Sequence, residues 1–264
     1  MTFREEIITT RRGVTAPVRI YGEGNIDVVY LHGAGGLLPV EPTIDGLVAG
    51  ELTVAAPVWP GYSEHEDESQ LEDMLDFALH GWDVVTELGL ERPSLVGHSM
   101  GGMIASEMAA LAPQSVDRLA LLCSAGFWLD DHPIPDLFSM LPFELAEVLF
   151  ADPAAGEKML TAGLDFSDDQ ALTNFMVGRA RQMGMAGKIL FPVPNRRLSK
   201  RAYRITAPTL LVWGEQDRLI PPAYASAFEA AIEHTTTVMV PDAGHMLPHE
   251  QPAAVADALL HHLG

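Results

Sequence analysis

Leu95-Val96-Gly97-His98-Ser99-Met100-Gly101-Gly102-Met103 is the stretch on which the reading of the whole chain turns. An apolar run, Ser94–Gly97, enters a G-x-S-x-G pattern and leaves it into a helical pattern through Ala105, Met108 and Leu111. A serine on so tight a strand-to-helix turn needs small residues two positions either side, because a Cβ there would collide with the adjoining strand and helix. Gly97 and Gly101 supply that space. Ser99 is therefore expected at the carboxyl end of a central strand, where open α/β sheets place their ligands, and at a helix N-terminus that favours developing negative charge.

The flanking sequence repeats the strand-then-helix rhythm. Ile26–Leu31 is a nearly continuous apolar run that ends in Gly33-Ala34-Gly35-Gly36, as a buried strand feeding a loop would. Thr53–Val58, Leu119–Cys123, Thr209–Trp213 and Thr236–Val240 have the same character, and Glu6–Thr10 with Val18–Tyr21 reads as an opening antiparallel pair. Between them, Leu71, Met74, Leu75, Ala78, Trp82, Val85 and Leu88 recur at three- and four-residue steps, predicting an amphipathic helix over 71–88. Such alternation implies βαβ units, an α/β class and a mostly parallel central sheet flanked by helices.

The rhythm breaks once, between about Gly126 and Tyr203, and the composition changes there. Seven of the ten phenylalanines (Phe127, Phe138, Phe143, Phe150, Phe166, Phe175, Phe191) fall inside, with Trp128 and the methionines Met140, Met159, Met176, Met183 and Met185. The division that follows is a core of residues 1–125 and 204–264 with a mainly helical cap, 126–203, inserted after the sixth strand. Any one of these side chains could serve the cap's own core, but the collective excess points to an apolar ligand space. Phe127, Trp128, Phe138 and Met140, which follow the sixth strand directly, are the expected substrate contacts. Half of the sixteen basic residues lie close together (Arg179, Arg181, Lys188, Arg196, Arg197, Lys200, Arg201, Arg204), either as a solvated face or, less simply, as recognition of something acidic.

A chain of 264 residues with 48% hydrophobic content is long enough to bury a full core as one catalytic unit. Its formal net charge of −20 would repel a phosphate backbone and argues against nucleic-acid binding. One cysteine, Cys123, excludes a disulfide framework and any CxxC motif. MTFREEIITTRR lacks the apolar centre of a signal peptide, and nowhere do eighteen apolar residues run uninterrupted, so cytoplasmic residence without a membrane span is the expectation. Oligomeric state is not legible.

Taken together these stretches resemble the α/β-hydrolase superfamily over the length of the chain. His32-Gly33-Ala34-Gly35-Gly36 is similar to the family's HG-type oxyanion loop, Gly97-His98-Ser99-Met100-Gly101 to its nucleophile elbow, Gly214-Glu215-Gln216-Asp217 to its acid turn and Gly244-His245 to its histidine loop, in the family's order Ser…Asp…His. The resemblance implies that Ser99 attacks a carbonyl while His245 takes and returns its proton, and that Asp217 fixes the tautomer of His245. The backbone N–H groups of Met100 and Ala34 would hold the tetrahedral oxyanion. Such a site needs no cofactor and no metal. Glu215, Asp242 and Asp130 compete with Asp217 for the acid, and His249 stands four residues from His245 at a metal-ligand spacing, though with Pro248 between and no acidic third ligand evident. His32 and His98 are expected to be structural, and Cys123 a buried small hydrophobe.

Serine at position 99 argues against the dehalogenases and epoxide hydrolases of the superfamily, which use aspartate there. Hydrolysis of a small apolar carboxylic ester, or of a lactone or thioester, is the expected function. The alternatives are carbon–carbon hydrolysis of ring-cleavage products and a ligand sensor that keeps the triad. The carbon–carbon hydrolases usually carry asparagine where His98 stands and tryptophan where Met246 follows His245.

Overall fold

The computed structural model describes residues 2–62, 70–140, 142–161, 167–192 and 197–264. Of the residues singled out above, Phe166, Arg196 and the side chain of Phe143 lie outside the described part. The described chain builds one eight-stranded sheet from β1 (Arg4–Thr9), β2 (Thr15–Tyr21), β3 (Val28–Leu31), β4 (Val54–Pro57), β5 (Ser94–His98), β6 (Leu119–Leu122), β7 (Thr209–Gly214) and β8 (Thr235–Val240). Their order across the sheet is β1-β2-β4-β3-β5-β6-β7-β8. β1 with β2 and β2 with β4 pair antiparallel, and every later pair is parallel. This is the mostly parallel α/β sheet that the sequence predicts.

Parallel strands covered by helices on both faces have no solvent side, so their sequences run apolar without alternation. β3, β5, β6 and β7 are buried at every position, whereas the edge strand β8, Thr235–Val240, is buried only at Val240. The covering helices are α1 (Pro42–Ala49), α2 (Met74–Glu87), α3 (Met100–Leu111), α7 (Ala223–Ala231), the short α8 (Leu247–Glu250) and α9 (Pro252–Leu263). Between β6 and β7 the chain carries α4 (Pro142–Leu149), α5 (Pro153–Leu160) and α6 (Asp169–Leu190).

Several boundaries differ from the sequence reading, and two of them have a local reason. The helix expected from Leu71 begins at Met74 because the Asp73 carboxylate accepts the N–H groups of Leu75 and Asp76 at 2.8 and 3.1 Å, an N-cap that fixes the first turn. The strand expected from Ile26 begins at Val28, because the Asp27 side chain is committed to the N–H of Thr53 at 2.8 Å.

Candidate active site

β5 delivers Ser99 to the head of α3 at φ 55° and ψ −116°, a left-handed backbone that costs a residue with a Cβ on the order of 1–3 kcal/mol. The surrounding contacts hold it there. The Ser99 N–H donates to the Leu122 carbonyl at 2.9 Å, and the Ser99 carbonyl accepts from Met103 and Ala125 at 3.1 and 3.0 Å. A Cβ on Gly97 would strike the backbone of Gly101, and one on Gly101 would strike the Leu31 carbonyl, so both glycines are required by close approach. Ser99 remains partly accessible among buried neighbours.

β7 and β8 end beside it. Past Gly214 the chain turns through Asp217, and past Val240 it reaches His245. The two turns are tied together by backbone: Gln216 N–H donates to the Ala243 carbonyl at 2.9 Å and Glu215 N–H to the Val240 carbonyl at 3.0 Å. Buried Trp213 donates its indole N–H to the Ile220 carbonyl at 2.8 Å and closes the acid turn from below. His245 Nδ1 lies 2.8 Å from Asp217 Oδ2, and His245 Nε2 lies 2.8 Å from Ser99 Oγ. The other carboxylate oxygen, Asp217 Oδ1, accepts from Leu219 and Ile220 N–H at 2.9 and 2.8 Å. His245 and Asp217 are 2% and 3% exposed, so Ser99 is the accessible member of the three. The competing acids sit elsewhere: Glu215 and Asp242 are exposed, and exposed Asp130 accepts from the Trp128 indole N–H at 3.1 Å.

The two remaining histidines of these loops act as props. His98 Nε2 faces the His245 carbonyl at 2.9 Å and so carries the proton; burial, then the neighbouring His245, push its pKa down to about 3. His32 Nδ1 donates to the Gly33 carbonyl at 2.8 Å while its Nε2 accepts the Trp59 N–H at 3.2 Å, and burial lowers its pKa to about 4. Both rings are neutral and brace their loops. Gly33 is so near the serine that a Cβ on it would lie 3.4 Å from Ser99 Cβ. The next residue, Ala34, is held through its carbonyl, which accepts the Tyr62 hydroxyl at 3.1 Å. Met100, fully buried, opens α3, where first-turn N–H groups have no intrahelical acceptor.

The residues expected to touch substrate divide. Phe127 is 5% exposed and stacks on Phe228 of α7 at 4.1 Å, inside the core. Trp128, Phe138 and Met140 are half-buried, and Phe138 packs against Phe191 at 4.8 Å. Among the described residues, Cys123, Asp217 and His245 present ligand atoms within 4.8 Å of one another. Burial, followed by the Asp217 charge, raises the Cys123 thiol well above its usual range, and the other two groups are bonded to each other. His249 lies in α8, away from any second ligand in that group.

Among the neighbours of the site, Arg179 was visible in the sequence only as one of the basic group, and the others carried no signal. Tyr62 sits in an irregular stretch, and its role appears only when the chain brings it over Ala34. Arg179 of α6 lies beside Tyr62, with burial lowering the pKa of its guanidinium, and Gln182 one turn further lies 3.8 Å from where a Cβ on Gly36 would stand. Arg218 and Glu250 flank the acid and histidine turns.

A family model described as alpha/beta hydrolase fold matches residues 28–252. The dihydrolipoyllysine-residue acetyltransferase component of an acetoin cleaving system from Cupriavidus necator is 31% identical over 258 residues, covering 92% of this chain but 65% of that protein's own length. A 2-hydroxy-6-oxononadienedioate/2-hydroxy-6-oxononatrienedioate hydrolase from Cupriavidus pinatubonensis is 27% identical, covering 92% of this chain and 88% of its own. The crystal structure of a bacterial membrane phospholipase A superposes with a TM-score of 0.78 at 21% identity, over 99% of this chain and 86% of that one, a likeness of fold. No described helix is long and apolar enough to cross a membrane. With strand order, elbow and turns in place and the family model spanning most of the sequence, this chain belongs to the α/β-hydrolase fold family.

Proposed function

We propose that the chain is a serine hydrolase that cleaves small carboxylic esters through an acyl-enzyme at Ser99. The carrying observation is the pair of 2.8 Å contacts that run from Asp217 through His245 to the Ser99 hydroxyl. A carboxylate on Nδ1 requires the proton there, which leaves the Nε2 lone pair to receive the Ser99 proton as Oγ attacks the carbonyl carbon. The resulting oxyanion would be met by the N–H groups of Met100 and Ala34, a contribution of about 10²–10³ in rate per donor. His245 then returns the proton to the departing alcohol, and water repeats the route to release the acid. Residues 126–203, with α4, α5 and α6, would act as a cap over the site.

Hydrolysis of a carbon–carbon bond in a carboxylate-bearing oxo acid is a second reading, favoured by two observations. One is the dienedioate hydrolase relative. The other is Arg179, a cation drawn in beside Tyr62 next to the Gly33–Gly36 loop. Intact-mass analysis after a fluorophosphonate, on wild type and Ser99→Ala, tests the nucleophile; p-nitrophenyl esters of increasing acyl length test the reaction. Wild-type labelling with turnover, both lost in Ser99→Ala, is the expected result. Labelling without ester turnover would favour the second reading, and undiminished esterase activity in Ser99→Ala would refute both.

A further inference from the structure

We propose that Glu250 and Arg218 are positioning residues that make the alignment of His245 and Asp217 depend on the segment joining α4 to α5. The inference rests on the serine-hydrolase reading. Glu250 sends its two carboxylate oxygens to different parts of the chain: Oε2 accepts the N–H of Gly244, next to His245, at 2.8 Å, and Oε1 accepts the N–H of Ala151 at 2.7 Å. Arg218, next to Asp217, does the converse with the same segment. Its guanidinium donates to the carbonyls of Glu147, Phe150 and Ala151 at 2.7, 3.1 and 3.0 Å. The Met246 N–H closes the set on the Leu149 carbonyl at 2.9 Å.

The physical logic is that of a helix end. The last carbonyls of α4 have no intrahelical donor and carry the negative end of its dipole. Arg218 and Met246 satisfy them, so the helix terminus is held by residues adjacent to the acid and to the histidine. The backbone of 149–151 approaches so closely that a Cβ on Gly244 would lie 2.8 Å from the Ala151 nitrogen and 2.9 Å from the Leu149 carbonyl oxygen. A cleft of about 450 Å³, lined by Ala151, Asp152, Gln216, Asp242 and His249 among others, opens beside this seam. The close backbone approach at Gly244 and the directed hydrogen bonds together set where the two turns stand. Neither side chain is placed to touch substrate or to carry a proton; each acts through its neighbour.

Small misplacements of a proton-transfer pair are costly, on the order of 10²-fold for about 1 Å. The test measures kcat, KM and melting temperature for Glu250→Gln, Arg218→Met, Arg218→Lys and the double variant Glu250→Gln/Arg218→Met, with active sites counted by fluorophosphonate mass labelling. In Glu250→Gln one of two N–H groups faces an amide donor, and kcat per labelled site should fall roughly 10- to 100-fold with KM changed by less than about threefold. Arg218→Met should do the same. Arg218→Lys keeps the charge without the fork and should recover part of the loss. Because the two serve one seam, the double variant should fall short of the product of the singles.

A lowered melting temperature with kcat per labelled site within about twofold of wild type would show a merely structural role and overturn the proposal. Fully multiplicative effects would overturn the idea of one shared device. Arg218 is exposed, its side chain 45% accessible, so its variants give a reading even if Glu250→Gln does not fold. Wild type that neither labels nor turns over would remove the serine-hydrolase reading itself, whereas normal wild-type labelling with unaffected variants would remove this proposal alone.

Discussion

Replacing Asp217 by asparagine should be more damaging than the loss of one charge suggests, because the two carboxylate oxygens have different duties. Oδ1 accepts two backbone N–H groups, from Leu219 and Ile220, and Oδ2 accepts Nδ1–H of His245. An asparagine has one carbonyl oxygen and must choose. Turning its amide nitrogen toward Leu219 and Ile220 would set donor against donor twice in a buried turn, at about 1–3 kcal/mol for each unsatisfied group. The carbonyl therefore stays on the backbone, and the amide N–H is left facing His245 Nδ1. The imidazole then keeps its proton on Nε2, where it faces Ser99 Oγ and cannot accept. The expected fall in kcat is on the order of 10⁴, as for the wrong tautomer in serine proteases. Asp217→Ala imposes no tautomer and should retain at least as much activity as Asp217→Asn, while losing more stability, since Leu219 and Ile220 lose their acceptor. Stopped assays at equal active-site concentration, with melting curves of each variant, measure both. An Asp217→Asn enzyme within about tenfold of wild type would refute this tautomer argument and return the acid to Asp130 or Glu215.

Tyr62→Phe removes the hydroxyl that holds the Ala34 carbonyl while leaving the ring against His32, 4.7 Å away, so kcat should fall roughly 3- to 10-fold with KM little changed; an unchanged kcat would detach Tyr62 from the oxyanion loop. Gly101→Ala places a Cβ into the Leu31 carbonyl and should destabilise the fold by about 1–3 kcal/mol and abolish labelling, as thermal melts and mass analysis would show. Stability should also fall as pH drops from about 6.5 toward 4. His32 and His80, with pKa near 4, and His98, near 3, all held down first by burial, bind protons more readily unfolded than folded in that window. Glu41, raised to about 7 by burial, binds its proton more readily when folded and opposes them over the same range, as do Glu107 and Asp83, while His249 and His262, lowered by burial, add to the loss. Urea midpoints that rise on acidification from pH 6.5 would contradict the burial of these rings.

β3, β5 and β7 were legible because they are buried on both faces, which leaves an apolar run before the turn that each feeds; β8, at the edge, is buried only at Val240 and gives a weaker signal. The elbow was legible for a steric reason: Gly97 and Gly101 mark positions where no Cβ fits. The acid could not be narrowed to one residue, since Glu215 shares the turn of Asp217 while Asp242 and Asp130 lie near other functional loops, and only the fold shows which of them faces His245. That Phe127 stacks on Phe228 was not legible, because its nearness in sequence to the end of β6 says nothing of what packs against it. Tyr62, Arg218 and Glu250 escaped notice because each acts across a long sequence separation through backbone atoms, which carry no residue signature.

The single cysteine has a practical consequence. Cys123 is fully buried at the end of β6 and its thiol is held protonated, so a maleimide applied to the native chain meets no reactive sulfur. A cysteine introduced at an exposed point such as Met176 of α6, 54% accessible, would then be the one site a dye can reach. The chain comes ready-made for single-site fluorescence, by which the motion of α6 relative to the sheet could be followed during turnover without first stripping out a native thiol from beside Asp217.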